Sequence, residues 1–472
     1  MQNFLNRNKV IFHQNKINEL GPRFTGSEAH KELIEYFEEE LIKLDFQVLK
    51  DEHSFEKWEA KRWGLSIKNN SGQFEEVEVA SYYPYSGETK GEAIGQLVYV
   101  KNSKDFKKAK GKIALVEVAV PKLPARLFFK KRCCYPEGKA KLPKKIVNSV
   151  IGSVLKGPNL KKAAEEGVLG VVCIWKNLSE ENIGGQYLPF TTPYGQCPAL
   201  WVNERIGEKL KSLAENGVEA KFLLEAQKEE AASETIYAVL KGKNEKETII
   251  VNTHTDGPNA VEENGGAALL MLAEYFSKIP VEYRNRTLVF VFVSGHFRIP
   301  EFGIRGQATT RWLENHKELW DGKKDNKKAV AGVTIEHLGC TGWTDVEGEF
   351  KKAEDLELEL VYTGNKLMNK IYLNSLIGRS KVRSITLKPK ANIYFGEGQP
   401  LYNAKIPTIS LVPAPEYLCS VKESGHIEKL DIDFMLEQIE SFVKVIEEID
   451  KTKEIGEVEE QSFGILQLII KE

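Results

Sequence analysis

Apolar and polar positions along the chain change their period twice. Near the N-terminus they recur at helical spacing over 10–20 and again over 28–44. A Gly21-Pro22 turn separates the two stretches, and Ser27 stands where the second helix needs an N-cap. From residue 47 the alternation is that of strands, over 47–49 and 56–67. Between 87 and 232, β-branched runs at 94–100, 112–120, 168–175 and 198–202 are interleaved with helical stretches at 159–166 and 204–214. A charged, alanine-rich connection at 225–234 closes that region. Beyond it, continuous apolar strands at 248–252, 287–293, 329–335 and 408–412 are joined by an apolar helix at 267–276, and an amphipathic helix at 433–449 follows. Strands without alternation are buried on both faces. The pattern therefore predicts an α/β fold with helices on both sides of a mixed, mostly parallel sheet. We divide the chain into 1–86, the first part of the main domain; 87–232, a smaller β-rich insertion; 233–455, the rest of the main domain; and 456–472, a tail that is acidic and then apolar over 463–470.

Charge narrows the range of partners. Lysine and arginine number 66 against 68 aspartates and glutamates, and no basic face or tract of nucleic-acid type stands out. The basic stretch 130–145 is short, lies beside a turn-rich segment and reads as a solvated loop. No apolar run reaches the roughly 18 residues of a membrane span. The first 16 residues are polar and lack the apolar core of a secretory signal. These features lead us to expect a cytoplasmic protein with neither a nucleic-acid nor a membrane partner. Cys133, Cys134, Cys173, Cys197, Cys340 and Cys419 form no disulfide or zinc pattern and read as reduced core residues.

In open α/β sheets, ligands bind beyond the carboxyl ends of the strands. The 248–252 strand runs into Thr253-His254-Thr255-Asp256-Gly257, an H-x-D pair in which an imidazole can bind metal and a carboxylate can orient its ring. The next turn carries Glu262-Glu263-Asn264 just before a helix, where acids also suit the helix dipole. The 287–293 strand ends in Ser294-Gly295-His296-Phe297, and the 329–335 strand in Glu336-His337. Three of the eight histidines thus stand at strand ends, which favours a site over chance.

The order of these motifs resembles metallopeptidase family 28, the zinc aminopeptidases of the aminopeptidase Y and glutamate carboxypeptidase type. Gly21-Pro22-Arg23-Phe24-Thr25-Gly26-Ser27 looks like that family's G-P-R-x-T-G-S segment, and 112–116, 161–173 and 198–202 look like an inserted protease-associated domain. The resemblance implies a three-layer sandwich of zinc-peptidase type. It makes His254 the first metal ligand, Asp256 its orienting carboxylate, Glu263 the counterpart of a bridging Asp, and Glu336 the counterpart of a late Asp ligand. His296 and Phe297 fall on the family's Glu-Glu pair of general base and ligand. The last His ligand, expected after a Tyr, has no counterpart, since Tyr417 is followed by Leu418 and His426 comes too late.

The departures fall on one metal position and spare the other. They imply one zinc ion on His254, Glu263 and Glu336, with His296 as base and Asp256 in support. Glu262, His337, Glu397 and His426 are further candidates for the site. The loop after Phe297, with Pro300 and Gly303, reads as a reshaped rim. The substrate by resemblance is a peptide or small amide. The alternative is an inactive pseudo-peptidase that binds a peptide or a partner protein.

Overall fold

The computed structural model describes residues 5–190, 194–298, 307–390 and 393–459. The apolar part of the tail, 463–470, and the rim positions Pro300 and Gly303 lie outside these residues. At the centre of the fold are four neighbouring parallel strands, in the order Arg286–Val293, Asn244–His254, Lys328–Ile335 and Thr408–Leu411. Alternate residues of a strand face opposite sides of a sheet. Accordingly Ile249, Val251, Phe290, Phe292, Val333 and Ile335 join one core with helices Arg7–Glu19, Glu28–Lys43, Gly265–Ser277 and Ile432–Lys451. Ile250, Val289, Val291 and Val293 face the other side and pack with Ala308, Trp312 and Leu401. Helices thus cover both faces of a mixed α/β sheet of fifteen strands. Burying each such aliphatic side chain is worth about 1.5–3 kcal/mol. Ser27 caps the second helix as expected, its hydroxyl accepting from the His30 N–H.

Two stretches differ from the sequence reading. The 225–234 connection is the middle of one strand, Glu219–Leu240, paired along nearly its whole length with Val48–Lys68. Its glutamates and lysines hid it because much of this ribbon is solvent-exposed. The basic stretch is also not all loop, for Lys130–Tyr135 pairs with Ser384–Lys388 and forms the outer strand at that end of the sheet.

The strand Glu219–Leu240 joins two groups of strands. Its C-terminal half pairs with Arg286–Val293. Its N-terminal end pairs with Ala93–Tyr99, beyond which Ile113–Ala119, Gly170–Lys176 and Ala199–Val202 continue in parallel. One face of this second group, with the stacked Trp175 and Trp201 rings 4.0 Å apart, shares a core with Val261, Phe297, Tyr417 and Leu418. It therefore lies against the loops at the carboxyl ends of the central strands. Backbone bonds Tyr187 N–H to Cys419 O and Val421 N–H to Gly185 O, both 2.8 Å, fasten the two. All six cysteines are free, and no helix among the described residues is long and apolar enough to cross a membrane.

Glu416 belongs to that junction. Asn182 donates to both Asp345 and Glu416, and Gln186 donates to the Glu416 carbonyl at 2.9 Å. Burial first, with Asp345 and Glu357 nearby, pushes the Glu416 carboxyl up to about 7 against the Asn182 hydrogen bond. A raised folded-state pKa means the folded protein holds this proton more tightly than the unfolded chain. Its stabilising contribution is full below about 4.5 and is lost as pH rises toward 7. Glu416→Gln should therefore raise the melting temperature at pH 8 and leave it unchanged at pH 4. The gain should be of order 2 kcal/mol or less, given partial solvent screening. Thermal denaturation at the two pH values checks this.

Candidate metal centre

His254 ends its strand with its side chain fully buried. Its Nδ1 lies 3.0 Å from the Asp256 carbonyl, an acceptor, so Nδ1 carries the proton and Nε2 presents a lone pair. No group among the described residues hydrogen-bonds that Nε2. His337 repeats the arrangement: Nδ1 donates to the Pro413 carbonyl at 2.6 Å, and Nε2 has no hydrogen-bond partner among the described residues. Fixing the outer nitrogen through a carbonyl is how proteins orient a ligating imidazole. Burial lowers the pKa of both rings, that of His254 to about 3, and so keeps them neutral.

Glu262 faces both rings. Its Oε2 lies 3.2 Å from His337 Nε2 without hydrogen-bonding geometry, and its Oε1 lies 3.9 Å from His296 Nε2. His254, Glu262 and His337 each offer one donor atom, and the three atoms lie within 4.8 Å of one another. Asn264 brings the two turns together. Its amide donates to Leu338 O at 2.9 Å and accepts from Leu338 N–H at 2.8 Å. His337 itself adopts φ 55°, a left-handed conformation uncommon outside glycine and often found at functional sites.

This donor set differs from the expected His254, Glu263 and Glu336. The Glu263 carboxylate turns to the buried Arg23 guanidinium and pairs with it. Gly257 leaves room for that pairing, since a Cβ there would lie 2.1 Å from Glu263 Oε2. Glu336 accepts from the Glu397 N–H at 2.6 Å through Oε1, while Oε2 is unpartnered beside Gly396. Burial pushes both Glu262 and Glu336 up to about 8, against the pull of His296. Two buried carboxyls that resist ionisation in the bare protein form an environment that a cation would relieve.

Asp256 also departs from expectation, because its carbonyl and not its carboxylate orients His254. The carboxylate accepts from Thr25 Oγ1, from the His296 N–H at 3.2 Å and from the Phe297 N–H at 2.8 Å. It thereby secures the turn that carries His296. That ring stacks on His254 with centroids 4.2 Å apart and directs Nδ1 to Glu397 at 2.7 Å. Burial alone would lower its pKa, but the Glu397 hydrogen bond and the charges of Glu397, Glu262 and Glu336 lift it to about 9. Glu397 also accepts from the Ala308 and Thr309 N–H groups and the Thr309 hydroxyl, which leaves it no capacity for a metal. His426 is engaged elsewhere, with Ser420. Phe297 stacks on Phe190 at 4.7 Å, and Leu418 lies in the same apolar cluster.

Sequence reading left out how the N-terminal motif serves the site. Arg23 exchanges both backbone hydrogen bonds with Gly257, at 2.8 and 2.9 Å, and His30 Nε2 lies 2.9 Å from the Thr255 hydroxyl. Arg23→Met strands Glu263 as an unpaired buried charge. It should cost about 3–5 kcal/mol. Adding Glu263→Gln should recover much of the loss in urea unfolding, as a double-mutant cycle would show.

No protein-family model matches the sequence, and no curated protein is similar to it in sequence. Solved structures do match. A peptidase M28 precursor from Shewanella amazonensis SB2B aligns with a TM-score of 0.66 at 13% identity, over 97% of this chain and 99% of that one. BSAP, a zinc aminopeptidase from Bacillus subtilis, aligns at 0.63 with 16% identity over 96% and 98%. An aminopeptidase from Aneurinibacillus sp. strain AM-1 aligns at 0.59 with 17% identity over 97% and 95%. At such identities the likeness is one of fold, and over nearly its whole length the chain has the fold of the M28 peptidases.

Proposed function

We propose that the protein is a hydrolase of peptide or small amide bonds that uses a single zinc ion held by His254, Glu262 and His337. The observation that carries the reading is the meeting of two neutral imidazoles, each with its Nε2 unpartnered, and one carboxylate in a buried space. Two His and one carboxylate form a known catalytic zinc set. This set replaces the trio expected from sequence, because Arg23 occupies Glu263. The fold shared with zinc aminopeptidases supports both the metal and the substrate class. Phe297 and Leu418, which carry no donor, stand where the resemblance puts the ligands of a second ion, and this supports one ion over two.

When bound, zinc supplies Lewis-acid polarisation of the scissile carbonyl. His296 has Nδ1 committed to Glu397, which favours the protonated ring, so Nε2–H is the group that can give a proton. Glu397, held by the 308–309 backbone, fixes that orientation. The Asp256 carboxylate keeps the backbone of His296 and Phe297 in place. The apolar replacements at Phe297 and Leu418 also suit a pseudo-peptidase that binds a peptide without cleaving it, which makes metal content the deciding measurement.

Metal analysis of the purified protein after zinc addition and dialysis should find about one equivalent. Glu262→Gln and His337→Ala should each lower zinc affinity by about tenfold or more, whereas Glu263→Gln should leave it unchanged. No zinc in the wild type would overturn the hydrolase reading and leave the pseudo-peptidase. With zinc retained, His296→Gln should reduce hydrolysis of aminoacyl amides by about a hundredfold or more. Undiminished turnover would remove His296 from the mechanism.

A further inference from the structure

The basic stretch near the sheet edge is built differently from the rest of the surface. Between 122 and 145 the chain carries nine lysines and arginines and a single acid, Glu137. Elsewhere many surface lysines have glutamate partners, as in Lys57 with Glu229 or Lys211 with Glu117. Here Lys122, Arg126, Lys131, Lys139, Lys141, Lys144 and Lys145 are all exposed, and none forms an ion pair among the described residues. Arg132, in the outer strand, is paired with Glu459.

The fold gathers several of these cations around an apolar tip. Leu123–Pro124 pairs with Lys145–Ile146, with Lys145 opposite Pro124. The Ala125 N–H donates to Lys144 O at 3.0 Å, so the turn Ala125–Leu127 leaves directly beside these lysines. Lys390 Nζ donates to the carbonyls of Arg126 and Leu127, both at 2.8 Å. Leu127 is 37% exposed at the turn, and the half-buried Phe128 follows it. Lysines on an outer strand can serve simply to block edge pairing. That purpose accounts for Lys131 in the outer strand, but not for Lys122, Arg126, Lys144 and Lys145, which lie outside it.

We infer that this turn docks on an anionic lipid surface, with Arg126, Lys144 and Lys145 over the headgroups and Leu127 and Phe128 entering the interface. Cations alone would suit any polyanion. The leucine and phenylalanine among them favour a bilayer, where charge attraction and apolar insertion act together and either alone is weak. No helix needs to cross the membrane for such peripheral attachment.

Sedimentation of the full-length protein with phosphatidylcholine vesicles, with and without phosphatidylserine, tests the inference. Binding should require phosphatidylserine and weaken with salt. It should fall about fivefold for each cation removed in Arg126→Gln, Lys144→Gln and Lys145→Gln. Leu127→Ser with Phe128→Ser should also weaken it while the salt dependence stays. Unchanged circular dichroism would show that these surface variants remain folded. Absence of binding to the anionic vesicles would overturn the proposal. So would binding that the Leu127 and Phe128 changes leave intact, or a preference for poly-uridine RNA over vesicles, because either would mark a general polyanion surface.

Discussion

The pairing of Arg23 with the strand-end loop at Gly257 is the contact on which the site depends. Through it a segment from the first thirty residues becomes a neighbour of a strand end more than two hundred positions later. Thr25 then reaches the Asp256 carboxylate, which holds the backbone of His296 and Phe297, and His30 meets Thr255. These are buried polar groups that would be costly to leave unpaired. Removing one would leave its own partner unsatisfied among buried residues.

The same contact decides which carboxylate faces the histidines. Glu262 and Glu263 are adjacent in a tight turn and point apart. The guanidinium takes one, and the other meets His254 and His337. Glu262 and not Glu263 thus meets the two imidazoles. His337 joins them from a left-handed backbone position, φ 55°.

Much of this was legible in the sequence. The central strands are continuous apolar runs, and their ends carry His254, His296, Glu336 and His337 because a parallel sheet brings its loops together at one edge. Which of two neighbouring acids points inward was not legible, since it depends on Arg23, distant in the chain and adjacent only in the fold. Asp256 was placed correctly beside His254, but its carboxylate serves the next loop, a distinction that residue spacing does not encode. Glu219–Leu240 was missed in part because its middle is solvent-exposed, which removes the apolar pattern that marks a strand.

That long strand has a mechanical consequence. Its two ends belong to two groups of strands, and nearly its whole length runs along a partner of almost equal length. A bend between the groups would have to act on both members of the ribbon, and the irregularity between Ala60 and Arg62, opposite the 225–226 step, is where its ladder is already interrupted. The junction is therefore a paired ribbon with one built-in irregularity, and not a single connecting strand.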